Sequence, residues 1–140
     1  MLSFYHGKKI CFYKKKMLYD KVIYILSLEQ GKFYVGKTGN VPRRLNDHFK
    51  GRGAAWTKMF KPIKVMDILE NQSLFTEDNI TKQLMDKYGI AEVRGGSYCQ
   101  IKLSKCDLYC LQKELWGMKG LCFLCGKNHF VNRCYVNKLS

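Results

Sequence analysis

Two tyrosines and an arginine are the first residues in this chain whose types and spacing point to chemistry. Tyr24 sits in Val22-Ile23-Tyr24-Ile25-Leu26 and Tyr34 in Phe33-Tyr34-Val35-Gly36, with Glu29-Gln30-Gly31-Lys32 between them. Two β-branched and aromatic runs joined by a Gly-containing turn predict a hairpin. With the turn centred near Glu29 and Gln30, the two tyrosines fall roughly opposite one another and share a face. Paired phenols can share protons and position a water; packing of a half-buried sheet is the competing reading. Gly36 permits close approach of backbone or substrate, and Lys37 follows at the strand end. Arg44 comes eight residues after Gly36, in the first turn of a predicted helix. Free backbone N–H groups and the helix dipole already favour a phosphate there. His48, four residues further on, projects from the same face, one that adjoins the Leu45/Phe49 core stripe. An arginine so placed can grip a phosphodiester with two parallel hydrogen bonds.

A second group of reactive side chains lies near the C-terminus. Cys122 and Cys125 are separated by two residues, then come His129 and Cys134. Two thiolates at this spacing, followed by a histidine and a third thiolate, can close a tetrahedral Zn²⁺ site. Scattered thiols near a chance histidine are the alternative. Of the other cysteines, Cys106 and Cys110 share a helix face and read as buried thiols.

The elements that must position these groups follow from periodicity and punctuation. Asn40 is a suitable helix N-cap, Pro42 fits the first turn, and Val41, Leu45 and Phe49 recur every four residues, which predicts a helix ending near Gly51. Pro62 to Leu69 alternates as a third strand. A second helix starts near Ser73 or Thr76 and runs to Tyr88, with Gly89 as its left-handed cap. Val93 to Ser97 reads as a glycine loop, and Ser104 caps a third helix reaching about Trp116. The fold class is therefore α+β: a small three-stranded antiparallel sheet flanked by helices, plus a small zinc-stabilised C-terminal module. The expected organisation is a basic N-terminal extension over 1–20, a catalytic domain with its trailing helix over 21–117, and a zinc-knuckle-like module over 118–140. Met17 is a candidate natural start, because regular signals begin just after it.

Bulk properties narrow the partner. The 140 residues suffice for one domain and a short appended module, and a 46% hydrophobic content supports a core. Net charge is +14, from 25 basic and 11 acidic side chains, which calls for an anionic partner. The basic residues are spread over several segments instead of forming one amphipathic helix, so nucleic acid is favoured over a membrane surface. Between Lys37 and Lys64 the only acid is Asp47, and Trp56 and Phe60 are interleaved with Lys50, Arg52, Lys58 and Lys61. That pattern predicts a surface tracking a phosphate backbone, or simply a solvated basic face. Seven cysteines with no secretory signal argue for reduced or metal-bound thiols and an intracellular protein, cytoplasmic or nuclear.

From about Lys21 to Gly96 the sequence closely resembles the GIY-YIG nuclease superfamily. Val22-Ile23-Tyr24 stands for the first half-motif and Tyr34-Val35-Gly36, with Lys37-Thr38, for the second. The family's arginine falls on Arg44 and its histidine on His48. The departure is Val22, where the family carries glycine. Met85 to Ile90 with Val93-Arg94-Gly95-Gly96 looks like a viral or mobile-element branch, which would make this a virus-encoded protein acting in the infected cell. The resemblance implies one-metal hydrolysis of DNA to 5′-phosphate ends, with Mg²⁺ or Mn²⁺ held by a carboxylate from a later helix, best matched by Glu77. It assigns Tyr24, Tyr34, Lys37, Arg44, His48 and Glu77 to catalysis, and Arg94 to a phosphate contact or a mere turn. Asp78, next to Glu77, would point elsewhere. The C-terminal cluster resembles a CCHC zinc knuckle with one residue fewer between Cys125 and His129. It implies nucleic-acid contacts from Phe123, Lys127, Phe130 and Arg133. Two other readings remain: a catalytically silent nucleic-acid-binding protein, and a structure-selective flap or junction nuclease.

Overall fold

A computed structural model describes Leu2–Tyr5, Lys8–Cys11 and residues 21–136. The chain divides into two compact units, Met1–Ile101 and Lys102–Ser140. The division falls ahead of the third predicted helix, which therefore groups with the C-terminal unit instead of trailing the first. Among the described residues, no helix is long and apolar enough to cross a membrane.

The N-terminal segment forms a two-stranded antiparallel hairpin, β1 (Leu2–Tyr5) and β2 (Lys8–Cys11). Lys14 to Met17, central to the expected basic arm and alternative start, lie outside the described residues. The main sheet contains β3 (Val22–Leu28), β4 (Phe33–Thr38), β5 (Pro62–Glu70) and β6 (Val93–Gly95). Its order is β5-β3-β4-β6. β3 runs antiparallel to both β4 and β5, as the sequence predicts, while β6 pairs parallel with Phe33 to Val35 of β4. The sheet is thus four-stranded and mixed, not three-stranded. A three-residue strand with a glycine carries no period of its own, and its partner lies some sixty positions earlier in the chain, so only the tertiary pairing defines it.

Burial on both faces follows from the β3 alternation. Tyr24, Leu26, Leu28 and Tyr34 pack with Val41, Leu45 and Trp56, residues of helices α1 (Val41–Phe49) and α2 (Ala55–Met59). Ile23, Ile25 and Val35 face the other way, toward Ile80 and Leu84 of α3 (Thr76–Tyr88). α1 is capped as expected, with the Asn40 side chain accepting from the Arg43 N–H. Its inner face differs from the expected stripe: Val41, Leu45 and His48 are buried, whereas Phe49 is 49% exposed. A 3.6-residue repeat places positions 41, 45 and 48 together and rotates 49 outward. Gly89, at φ +106°, ends α3. α4 (Lys105–Met118) opens with a full capping box between Ser104 and Asp107, and its Cys106 and Cys110 are exposed, not buried. Their helix face is the one turned to solvent, while Leu111 and Leu115 take the inner positions.

Arg94 is also corrected by the fold. Its position in β6 buries it to 5% exposure. The guanidinium donates to the carbonyls of Ile90, Val93, Gln100 and Ile101 and lies 4.6 Å from the centre of the Trp56 ring. With its donors spent on backbone acceptors, it staples the chain around β6 and is not presented to a phosphate. Trp56 is likewise 4% exposed and donates to the Phe33 carbonyl, so it belongs to the core and not to a basic surface. Arg94→Ala should lower unfolding free energy by roughly 2–4 kcal/mol, because one buried and three part-buried carbonyls lose a donor and a cavity opens. Urea titration checks this; near-native stability combined with lost DNA affinity would return Arg94 to the phosphate.

Candidate active site

The β3–β4 register brings the two phenols together diagonally, not directly opposite. Tyr24 faces Gly36 and Leu26 faces Tyr34, because the turn occupies Glu29 to Gly31 with Gln30 at φ +59°. Alternation still leaves both rings on one face, their centroids 6.3 Å apart. Gly36 has a concrete reason to be glycine: a β-carbon there would fall on the Tyr24 hydroxyl and ring. The residue opposite must be absent for the phenol to lie flat along the strand.

α1 supplies the partners. Arg44 Nε donates to the Tyr24 hydroxyl at 3.1 Å. His48 Nε2 stands 2.8 Å from the same oxygen, and His48 Nδ1 stands 2.8 Å from Thr57 Oγ1 of α2. The imidazole packs against both phenols, 5.5 Å from the Tyr24 ring and 5.2 Å from the Tyr34 ring. Tyr24 and His48 are fully buried and Tyr34 nearly so. Thr57 was not singled out in the sequence; a lone threonine in a short helix carries no local signal of this role.

Burial and neighbouring charge tune these groups. Burial pushes Tyr24 up to about 12, with Tyr34 adding to the rise and Arg44 opposing it. Tyr34 is raised for the same reason, again against Arg44. His48 is pushed down to about 4, first by burial and then by the Arg44 guanidinium, so it is neutral at physiological pH. For Arg44, burial works against the charge, but the two phenols outweigh it and hold it protonated.

Glu77 reaches this group from the other layer. It stands in the first turn of α3 and pairs with Lys37 Nζ at 3.4 Å, and its charge acts on both Tyr24 and Tyr34. Asp78 points elsewhere, accepting from the Ser97 N–H and hydroxyl. Beside Arg44 a cleft of about 420 Å³ is lined by Thr38, Gly39, Asn40, Arg43, Arg44 and Asp47. The cleft opens onto the α1 N-terminus, where an anion is favoured.

Residues 20–82, which hold Tyr24, Tyr34, Lys37, Arg44, His48, Thr57 and Glu77, match the family model described as the GIY-YIG catalytic domain. The chain also matches UPF0213 proteins of several bacteria, among them the following three. The Streptococcus agalactiae protein is 41% identical over 44 residues, 31% of this chain and 50% of that relative. The Bacillus licheniformis protein is 40% identical over 42 residues, 30% and 43% of the two chains. The Neisseria meningitidis protein is 39% identical over 41 residues, 29% and 45%. These findings support the GIY-YIG superfamily. The chain spans half or less of the length of these relatives, whose names state no activity. No solved structure matches. A GIY-YIG domain suggests a nuclease. GIY-YIG nucleases usually use divalent metals, and the residues here fit one. Mg²⁺ commonly takes one or two carboxylates and completes its shell with water and phosphate oxygens. Glu77, half-buried beside the phenols, is the carboxylate that would hold it.

The C-terminal unit carries the Cys/His cluster. Donor atoms of Cys122, Cys125, His129 and Cys134 all lie within 4.8 Å of one another, and Cys125 Sγ is 3.5 Å from His129 Nε2. A tetrahedral zinc with bonds of about 2.0–2.3 Å needs edges of roughly 3.5–3.8 Å. The shortened spacing still closes the set, through a turn in which the Gly126 N–H donates to the Cys122 carbonyl and Cys122 N–H to the Lys127 carbonyl. A β-carbon on Gly126, at φ +73°, would meet the Trp116 indole, so that side chain of α4 packs against the turn carrying the Cys/His cluster. That tryptophan is a second residue the sequence reading missed. Phe123, Lys127, Phe130 and Arg133 are all exposed, as is Tyr135.

Two outcomes follow. Lowering of His48 in the folded state means that the unfolded chain takes up the proton first, between about 6.5 and 4. Stability is therefore full above that window and falls by about 3 kcal/mol as pH drops through it. Urea unfolding of the wild type and His48→Gln at pH 7 and 4.5 should show this loss in the wild type alone; equal losses would refute it. Metal analysis should find one zinc per chain, and Cys134→Ser should reduce it to a small fraction. Full zinc in that variant would rule the set out.

Proposed function

We propose that this protein is a metal-dependent endonuclease that hydrolyses DNA phosphodiester bonds to 5′-phosphate ends, while its zinc-bearing C-terminal unit holds nucleic acid. One observation carries the hydrolytic part. Two buried phenols, a guanidinium and a neutral imidazole are joined around the Tyr24 hydroxyl, with Glu77 close enough to act on both phenols.

In this reading Arg44 binds the non-bridging phosphate oxygens and offsets charge that grows on them during attack. Tyr24, assisted by Tyr34, orients the attacking water. As the water oxygen bonds to phosphorus and the bond to the 3′-oxygen breaks, the water proton passes to Tyr24 and the phenol proton to His48 Nε2. The 3′-oxygen takes a proton from solvent. Burial raises Tyr24 and lowers His48, so a separate proton transfer ahead of attack is disfavoured at both ends. The transfer must therefore accompany bond formation. Glu77 would hold a divalent ion, which when bound would supply Lewis-acid stabilisation of the developing charge. Lys37, paired with Glu77, fixes that carboxylate and adds positive charge beside the phosphate.

Exposed Lys50, Arg52 and Lys58 flank the same layer and provide charge for backbone contact, although Arg52 is also paired with Asp47 at 3.0 Å. In the C-terminal unit Phe123, Phe130 and Tyr135 offer faces on which bases of a single strand can stack, and Lys127 and Arg133 offer phosphate contacts. A module of this size relies on the metal for folding energy.

Arg44→Ala and Glu77→Ala should each reduce cleavage at least 100-fold in Mg²⁺ while changing DNA affinity less than about threefold. The assay is cleavage of duplex, flap, junction and single-stranded oligonucleotides beside filter binding. Undiminished cutting by either purified variant would defeat the hydrolase assignment, and absence of cutting by the wild type would leave a basic zinc-bearing binder. Preference for flaps or junctions over plain duplex would favour the structure-selective branch.

A further inference from the structure

We infer that Thr57, seated against His48 beside Gly53, is a positioning residue that fixes the direction of the hydrogen-bond chain through Tyr24. The functional consequence rests on the hydrolase reading; the hydrogen-bond assignment does not.

The argument is an accounting of protons. Thr57 has one hydroxyl proton, and its Oγ1 lies 2.9 Å from the Ala54 carbonyl oxygen, which can only accept. The proton therefore goes to Ala54, and the oxygen offers lone pairs to His48 Nδ1 at 2.8 Å. Two lone pairs facing each other at that distance would repel, so Nδ1 carries the ring hydrogen. The neutral imidazole then has a bare Nε2, 2.8 Å from the Tyr24 oxygen, and Tyr24 donates to it. At the other end Arg44 Nε, which can only donate, gives its hydrogen to the Tyr24 oxygen at 3.1 Å. The chain runs Arg44 to Tyr24 to His48 to Thr57 to Ala54. A guanidinium at one end and a carbonyl at the other forbid its reversal. Tyr24 is left with one uncommitted lone pair, the feature a water-orienting phenol needs.

Packing keeps the imidazole in place. A β-carbon on Gly53 would collide with His48 Nδ1, so glycine there admits the ring to Thr57. The titratable and charged groups facing His48 are Tyr24 from β3, Tyr34 from β4, and Arg44 and Asp47 from its own helix. The α2 side contributes Thr57, which does not titrate, so the tautomer is insensitive to pH across the neutral range. Without Thr57, nothing in this arrangement compels Nδ1 to hold the hydrogen.

The test uses the full chain labelled with ¹⁵N-histidine, which contains only three histidines. Long-range ¹H–¹⁵N spectra at pH 7.5 should show His48 with a protonated Nδ1 and an unprotonated Nε2, assigned by its loss in His48→Gln. Thr57→Val, nearly isosteric, should mix or reverse the tautomer and slow single-turnover cleavage roughly 10–100-fold with KM unchanged. Thr57→Ser should restore both. An Nε2–H or imidazolium form in the wild type, or a Thr57→Val protein with an unaltered tautomer, would overturn the inference. The expected tautomer in a wild type that cleaves no DNA would support the hydrogen-bond assignment and sink the hydrolase reading alone.

Discussion

The buried hydroxyl of Tyr24 is the constraint around which the first unit is arranged. A phenol oxygen removed from water and left without partners costs about 1–3 kcal/mol. Here Arg44 and His48 both reach it, which requires α1 to lie across the sheet with Arg44 and His48 turned inward. It also requires a glycine opposite, at position 36, because the ring occupies the space a side chain would fill. His48 in turn must satisfy its second nitrogen, and that demand explains the short helix α2 and its inward Thr57. Residues that look independent along the chain thus depend on one oxygen atom.

The sheet divides the labour between its two faces. One face holds the phenols and their nitrogen partners; the other anchors α3, whose first turn carries Glu77. Arg94 and Trp56 then stiffen the β6 side by stacking and by donating to carbonyls, without contributing a group to the site. A carboxylate placed from a different layer stays out of the Arg44 hydrogen bonds yet acts on both phenols. That carboxylate pairs with Lys37 and not with Arg44, whose Nε is committed to the Tyr24 hydroxyl.

The C-terminal unit solves a different problem. Among its residues Leu103, Leu111, Leu115, Cys122 and Cys134 are buried, while Phe123, Phe130, Tyr135 and Val136 stand in solvent. Four metal-type donors gather within 4.8 Å of one another, and the Trp116 indole packs against Gly126.

Much of this was readable in one dimension. Tyr24, Tyr34, Gly36, Arg44, Glu77 and the four C-terminal ligands are local or fixed-spacing signals, and strand alternation and helix caps place their elements. β-strand period and helix period are properties of neighbouring residues, so sequence determines them. What needed the fold were relations between distant segments. The parallel pairing of β6, the diagonal register of the two phenols, and the burial of Arg94 and Trp56 all depend on which surfaces meet. Thr57 became part of the site only because α2 packs under His48. Trp116 packs against the Cys/His turn only because a glycine lies beneath it. Sequence alone thus determined which groups were available and which local elements carried them. Tertiary structure decided which of them touch, because hydrogen bonds and close packing act through space over a few ångströms, whatever the separation along the chain.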